Sequence, residues 1–280
     1  MTFQQSPPGE VAVLLIHGLY SNPAEMSPLG KILEKAGYHV RIPEFSGYSV
    51  GEGGCGSVPY AAHTWEAWYA EVEREFTRLQ ASYRQVVVGG LCIGADLALH
   101  LAARQGARVA AVIALATTLF YDGWSIPWYR FLLPLGYYTP LRHLYTYRER
   151  YPFGLKNPRM RARVSRDMEA RQISDAGAAH LPMNGIYQAR RLIGTLKREL
   201  PEVGSPTLVI HSREDDVASL RSANFVYHHV SAELRRRVVL DDSYHIITLD
   251  NERRRVADET LKFLNQALAN PQTATLPVAA

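Results

Sequence analysis

The 280-residue sequence predicts an α/β protein whose mostly parallel sheet is covered by helices on both faces. Three observations carry that expectation. Apolar runs of strand length recur without polar alternation, which suits strands buried on both sides. Amphipathic helical periods lie between them, at the spacing of strand–helix–strand units. One central block rich in aromatics and prolines breaks the rhythm and predicts a helical insertion.

The first strand is Val11-Ala12-Val13-Leu14-Leu15-Ile16, ending at His17-Gly18. Residues 27–37 read as a short helix with Leu29, Ile32, Leu33 and Ala36 on one stripe and Gly37 closing it. Tyr38-His39-Val40-Arg41-Ile42 follows as a strand, stopped by Pro43. Residues 46–59 form a glycine-rich loop. Residues 63–83 are a strong helix, because Trp65, Trp68, Val72, Phe76 and Leu79 recur at helical spacing. Val86-Val87-Val88 is a strand that runs into Gly89-Gly90-Leu91-Cys92-Ile93-Gly94, and residues 95–104 favour a helix. Residues 109–115, 207–210 and 238–240 supply further strands, and 251–268 a closing helix.

The expected organisation is therefore a core built from residues 1–118 and 200–269, a helical cap from 119–199, and a disordered tail at 270–280. Within the cap, twelve of the 34 residues from 120 to 153 are aromatic, too dense for another strand–helix unit. Trp124, Trp128, Tyr137 and Tyr138 are candidates to line an apolar substrate pocket. The same side chains also suit a role fastening the insertion to the core, and both roles are expected in part.

Composition bounds the function. A hydrophobic fraction of 47% with 21% charged residues is that of a globular chain. No stretch approaches the roughly 20 consecutive apolar residues needed to cross a bilayer, so no integral membrane segment is expected. The first ten residues lack a basic region ahead of an apolar run, which argues against a secretory signal. The only cysteines are Cys55 and Cys92, without metal-ligand spacing. The expectation is a reducing cytoplasm, with no metal and no cofactor. Net charge is +4, but residues 142–171 hold nine Arg or Lys against three acids. That segment reads as a solvated face or as a docking patch for an anionic carrier. No helix-turn-helix, zinc or RNA-binding pattern accompanies it, so nucleic acid is excluded.

The chemistry centres on Gly90-Leu91-Cys92-Ile93-Gly94, a strand-to-helix turn with glycines on either side of its central residue. There the chain resembles the α/β-hydrolase superfamily, whose nucleophile elbow reads G-x-S-x-G. Cys92 stands where the serine usually stands. Other echoes are His17-Gly18 after the first strand, Gly37-Tyr38 leading to Pro43, the Trp65–Trp68 helix, Ser222-Ala223-Asn224, and His245-Ile246-Ile247-Thr248-Leu249-Asp250. Within the superfamily they are most similar to capped bacterial carboxylesterases and monoacylglycerol lipases. They run from residue 11 to about 268, the cap matching least. Gly47-Tyr48 departs from the family's usual Gly-His-Gly.

The resemblance implies an α/β-hydrolase fold with a cap, and a triad in the order nucleophile, acid, base. Cys92 is then the nucleophile. Asp215, in His211-Ser212-Arg213-Glu214-Asp215-Asp216 after a late strand, is the acid, with Asp216 as the alternative. His245 is the base. The Leu19 and Ile93 amides are the implied oxyanion donors, one such donor being worth about 2.7–4 kcal/mol. His17 is expected to brace the oxyanion loop. A cysteine nucleophile forms a thioester acyl-enzyme. Two readings follow. One is hydrolysis of an apolar acyl ester or thioester. The other is transfer of an acyl group from CoA or an acyl carrier protein to an acceptor other than water. Cys92 is either the natural nucleophile or a replacement engineered for serine.

Overall fold

The computed structural model describes residues 10–50 and 63–269. Cys55 and the 270–280 tail lie outside them. A six-stranded sheet forms the centre, built from β1 (Val11–Ile16), β2 (His39–Arg41), β3 (Gln85–Leu91), β4 (Ala111–Leu115), β9 (Thr207–Ser212) and β10 (Arg235–Leu240). Its order is β10-β9-β4-β3-β1-β2, and every pairing is parallel. The fold is the α/β-hydrolase fold that the sequence predicts.

The uninterrupted apolar runs are explained by the layers. Along β1, Ala12, Leu14 and Ile16 enter one core cluster, while Val11, Val13 and Leu15 enter the other. β3 and β4 divide in the same way: Val86, Val88, Val112 and Ala114 face one side, Val87, Ile113 and Leu115 the other. Each strand alternates faces, but both faces are dry. α2 (Trp65–Gln80), α3 (Ile93–Gln105), α6 (Met183–Glu199) and α7 (Leu220–His229) supply the first layer. α1 (Ser27–Lys35) and α8 (Arg253–Leu268) supply the second. β10 begins as Arg235-Arg236-Arg237 on the sheet edge and becomes apolar only from Val238, so its polar first half hid it from the sequence reading.

The block after β4 holds α4 (Leu133–Tyr137), β5 (Thr146–Arg148), α5 (Pro158–Arg171), β6 (Ile173–Ser174), β7 (Gly177–Ala178) and β8 (His180–Pro182). β5 and β8 pair antiparallel, as do β6 and β7. These short ladders were not anticipated, since their two- and three-residue strands carry no periodicity. α6 lies within the expected 119–199 insertion, yet its Ala189, Leu192, Ile193 and Leu196 pack in the same core cluster as α3. The remainder sits over the carboxyl ends of the strands. The Ala178 amide donates to the Tyr20 carbonyl, Gly123 to Val217, and Ile246 to Gly154.

Candidate active site

β3 delivers Cys92 and α3 begins at the next residue. Cys92 has φ 58° and ψ −122°, a left-handed conformation that a side chain rarely adopts and that surrounding structure must enforce. The enforcing contacts are backbone to backbone. A Cβ on Gly94 would sit 2.3 Å from the Ile16 carbonyl oxygen, and one on Gly90 would sit 2.4 Å from the Gly94 carbonyl carbon. Only glycine permits the turn to pass so close, which is the physical content of the G-x-C-x-G pattern.

The three residues expected to act together are brought together. His245 Nδ1 faces both Asp215 oxygens, at 2.8 and 3.0 Å. Asp215 is buried, and its Oδ1 also accepts from the Val217 and Ala218 amides at 2.8 Å each. Burial alone would raise its pKa, but charge and hydrogen bonding from His245 outweigh this and hold it low. Burial opposes the charged form of His245 as well, yet the Asp215 carboxylate and its hydrogen bond, with Cys92 nearby, hold its pKa well above the usual range. His245 Nε2 is buried with no partner in hydrogen-bond geometry among the described residues. Asp216 is placed differently: its Oδ1 accepts the His245 backbone N–H at 3.3 Å, and burial pushes its carboxyl up to about 6. Of the two acids, Asp215 is the one on the imidazole ring.

Leu19 and Ile93 both lie beside Cys92. A Cβ on Gly18 would lie 3.6 Å from Cys92 Cβ, so the loop after β1 passes directly beside Cys92. Ile93 opens α3, where the amide has no intrahelical acceptor. His17 braces that loop, with its Nε2 2.7 Å from Ser49 Oγ and its Nδ1 2.8 Å from the Gly18 carbonyl oxygen. Burial lowers its pKa to about 4, so it stays neutral.

The four residues expected to line a pocket are placed differently from one another, and Tyr138 borders an open pocket with Trp65, Tyr187 and Arg190. Trp124, Trp128 and Tyr138 are 58%, 81% and 67% exposed, and only Tyr137 is buried. The Trp124 indole N–H donates to the Glu214 carbonyl oxygen and its ring lies edge-on to Tyr244, so it fastens the insertion to the loop after β9. Trp128 has only Tyr129 and Phe131 as aromatic neighbours, and nothing among the described residues covers them.

Several residues beside Cys92 escaped the sequence reading. Thr118 Oγ1 donates to Cys92 Sγ at 3.3 Å. Tyr48 Oη donates to the His17 carbonyl oxygen at 2.7 Å, giving the Gly47-Tyr48 departure a bracing role. Glu25 is buried and accepts the Gly18 N–H at 2.6 Å, and burial raises its pKa to about 7. Asp96 is fully buried on the first turn of α3. A polar residue inside an apolar run was the available signal for Asp96, and Ala95-Asp96-Leu97 shows it. No cluster of His, Cys, Asp and Glu suited to a metal occurs among the described residues, and no described helix is long and apolar enough to cross a membrane.

Comparison with known proteins agrees with this architecture. A thermostable monoacylglycerol lipase from Bacillus sp. (strain H-257) is 26% identical over 255 residues, covering 91% of this chain and 90% of that protein. A carboxylesterase from Bacillus subtilis (strain 168) is 24% identical over 260 residues, covering 92% and 94%. The crystal structure of a monoacylglycerol lipase from Paleococcus ferrophilus superposes with a TM-score of 0.74 at 15% identity, covering 93% of this chain and 96% of that one. Residues 7–252 match the family model described as "Serine aminopeptidase, S33". The chain belongs to that family, and is an α/β-hydrolase of the esterase and lipase type.

Proposed function

We propose that this enzyme hydrolyses an apolar acyl ester or thioester, with Cys92 as nucleophile, His245 as general base and acid, and Asp215 as the group that orients His245. One observation carries the reading. His245 holds Asp215 with Nδ1 and leaves Nε2 unpartnered, on the end of the sheet where the strained turn presents Cys92. In the first half-reaction His245 Nε2 takes the thiol proton and the sulfur attacks the acyl carbonyl carbon. The Leu19 and Ile93 amides donate to the resulting oxyanion. Collapse expels the alcohol or thiol, which leaves with the proton from His245, and an acyl thioester remains on Cys92. In the second half-reaction water gives a proton to His245 and its oxygen attacks the thioester. The acid is released and the proton returns to sulfur.

The lipase and carboxylesterase relatives support an ester substrate with an apolar acyl part. Intact-mass measurement during incubation with a p-nitrophenyl acyl ester tests the reading. One acyl mass should appear on the protein, vanish in buffer as free acid forms, and be absent from Cys92→Ala. A persistent adduct that clears only when an amine, an alcohol or an acyl carrier protein is added would replace hydrolysis by transfer. No adduct and no turnover with any acyl donor would overturn the proposal. Cys92→Ser separates the two origins of the cysteine: a large gain in ester hydrolysis marks a site built for serine, and loss of all turnover marks one built for a thiolate.

A further inference from the structure

Glu25 is a buried acid outside the triad, carried by the single turn Pro23–Glu25 that precedes α1. Its Oε2 accepts the Gly18 N–H at 2.6 Å. A Cβ on Gly18 would lie 3.3 and 3.4 Å from the two carboxyl oxygens and 3.6 Å from Cys92 Cβ, so Gly18 lies against both residues. The same peptide unit is held from its other end, where Tyr48 Oη donates to the His17 carbonyl oxygen at 2.7 Å. The His17–Gly18 peptide is thus gripped at its N–H by an acid and at its C=O by a phenol.

The backbone groups of the loop after β1 show what that grip leaves free. The Gly18 carbonyl oxygen accepts the Ser21 N–H at 3.1 Å and lies 2.8 Å from His17 Nδ1. The Tyr20 N–H donates to the Tyr48 carbonyl oxygen at 2.9 Å, and the Tyr20 and Ser21 carbonyls accept from Ala178 and Val50. Among the described residues the Leu19 N–H has no acceptor in hydrogen-bond geometry, although such groups are normally paired. Its direction depends on the peptide before it, because two dihedrals are the only soft coordinates linking one peptide plane to the next. Those two dihedrals belong to Gly18, the residue type least able to fix them by itself. Glu25 and Tyr48 therefore grip the chain at the point where the aim of the Leu19 amide is otherwise lost.

We propose that Glu25 is a positioning residue: with Tyr48 it clamps the His17–Gly18 peptide and thereby aims the Leu19 N–H at the oxyanion formed on the acyl carbon. The inference rests on the reading that Cys92 carries the acyl group. The oxyanion exists only once sulfur or water has attacked, so the clamp acts in the transition state and not in substrate binding. Losing one oxyanion donor outright costs about 10²–10³ in kcat, and a donor that is present but badly aimed loses part of that.

The test compares Glu25→Met, which keeps the length of the side chain but offers the Gly18 N–H no oxygen, with Glu25→Gln, which still offers one. With p-nitrophenyl octanoate, Glu25→Met should lower kcat by about 10- to 100-fold and leave KM within about two-fold of wild type. Glu25→Gln should keep most of the wild-type kcat. An octyl trifluoromethyl ketone reads the same contact at equilibrium. The Cys92 sulfur adds to its carbonyl carbon, the thiol proton passes to His245, and the carbonyl π pair becomes the oxyanion. Its affinity should fall in Glu25→Met by about the factor lost from kcat, while that of 1-octanol, which forms no oxyanion, stays constant. Wild-type kcat or ketone affinity in Glu25→Met overturns the proposal, and so do equal losses in Glu25→Met and Glu25→Gln. Should Glu25→Met fail to fold, Tyr48→Phe decides: removing that one hydroxyl should lower kcat and ketone affinity together at constant KM, and wild-type values of both overturn the clamp. Absence of any acyl adduct on Cys92 in the wild-type protein would fail the hydrolase reading instead.

Discussion

The strand ends that present Cys92 and the segment between Trp124 and Tyr151 use the same kinds of side chain to opposite ends. Trp68, Phe76 and Phe263 vanish completely into the two core layers. Trp124, Trp128, Tyr129, Phe131, Leu132, Leu135, Tyr138, Leu144, Tyr145 and Tyr151 are all exposed, and among the described residues every exposed large hydrophobic falls in that one segment. The difference is not residue type but the presence of an opposing surface. In the core, a sheet face stands opposite each helix. Between Trp124 and Tyr151, elements of three to five residues cannot each present a full apolar stripe to a partner. Aromatic density therefore reports material available for packing, not where the packing happens.

Substitutions can break that comparison, and the largest effect should come from the strand ends. Cys92→Ala should reduce kcat for ester hydrolysis by roughly 10⁶-fold, as for loss of a nucleophile from other triads, with the fold unchanged by circular dichroism. Retention of more than a hundredth of the activity would remove Cys92 from the chemistry. Next comes Phe76→Ala, which empties a fully buried site on α2 and should cost about 3–5 kcal/mol in chemical denaturation.

A third experiment reads pH. The pKa of Glu25 rises on folding from an ordinary value of 4.5 to about 7. Its stabilising contribution is therefore complete below pH 4.5 and is lost as pH rises through 7, a fall of about 3 kcal/mol over that window. Glu25→Gln has no proton to lose and should flatten that part of the stability curve, while its amide oxygen still accepts the Gly18 N–H. An unchanged slope would show that Glu25 is not the group responsible. The smallest effect belongs to the insertion: Trp128→Ser should change stability by no more than about 0.5 kcal/mol, since the ring is already 81% exposed. A loss of 3 kcal/mol or more would mean that the ring is buried in solution, and the contrast between the two regions would collapse.

Legibility in the sequence followed the same line. The sheet was readable because β1, β3, β4 and β9 are buried on both faces and so leave unbroken apolar runs. The positions of Cys92, Asp215 and His245 were readable because each follows a strand, and position relative to strands survives when spacing does not. What could not be read was contact across sequence. Glu25 meets Gly18, Asp96 meets Thr118, and Tyr48 meets the His17 carbonyl only after folding. The exposure of Trp124, Trp128 and Tyr138 was hidden for the same reason, because the partners that touch two of them, Tyr244 and Tyr187, lie far along the chain.

Cys92 packs against both apolar layers at once, the α2–α3 side and the α1–α8 side. The sulfur therefore sits on the seam where two dense bodies clamp a single backbone turn. Cys92 is held by packing on both layers, whereas His245 and Asp215 are carried on loops after β10 and β9. Amides at the end of β3 and in the first turns of α3 should thus exchange with solvent only through global opening, and those flanking His245 through smaller local excursions. His245 is fixed instead by its two contacts to Asp215, at 2.8 and 3.0 Å. Under the mechanism proposed above, that division places the tunable part of the rate in the loops, where substitutions far from the sulfur change turnover without moving Cys92.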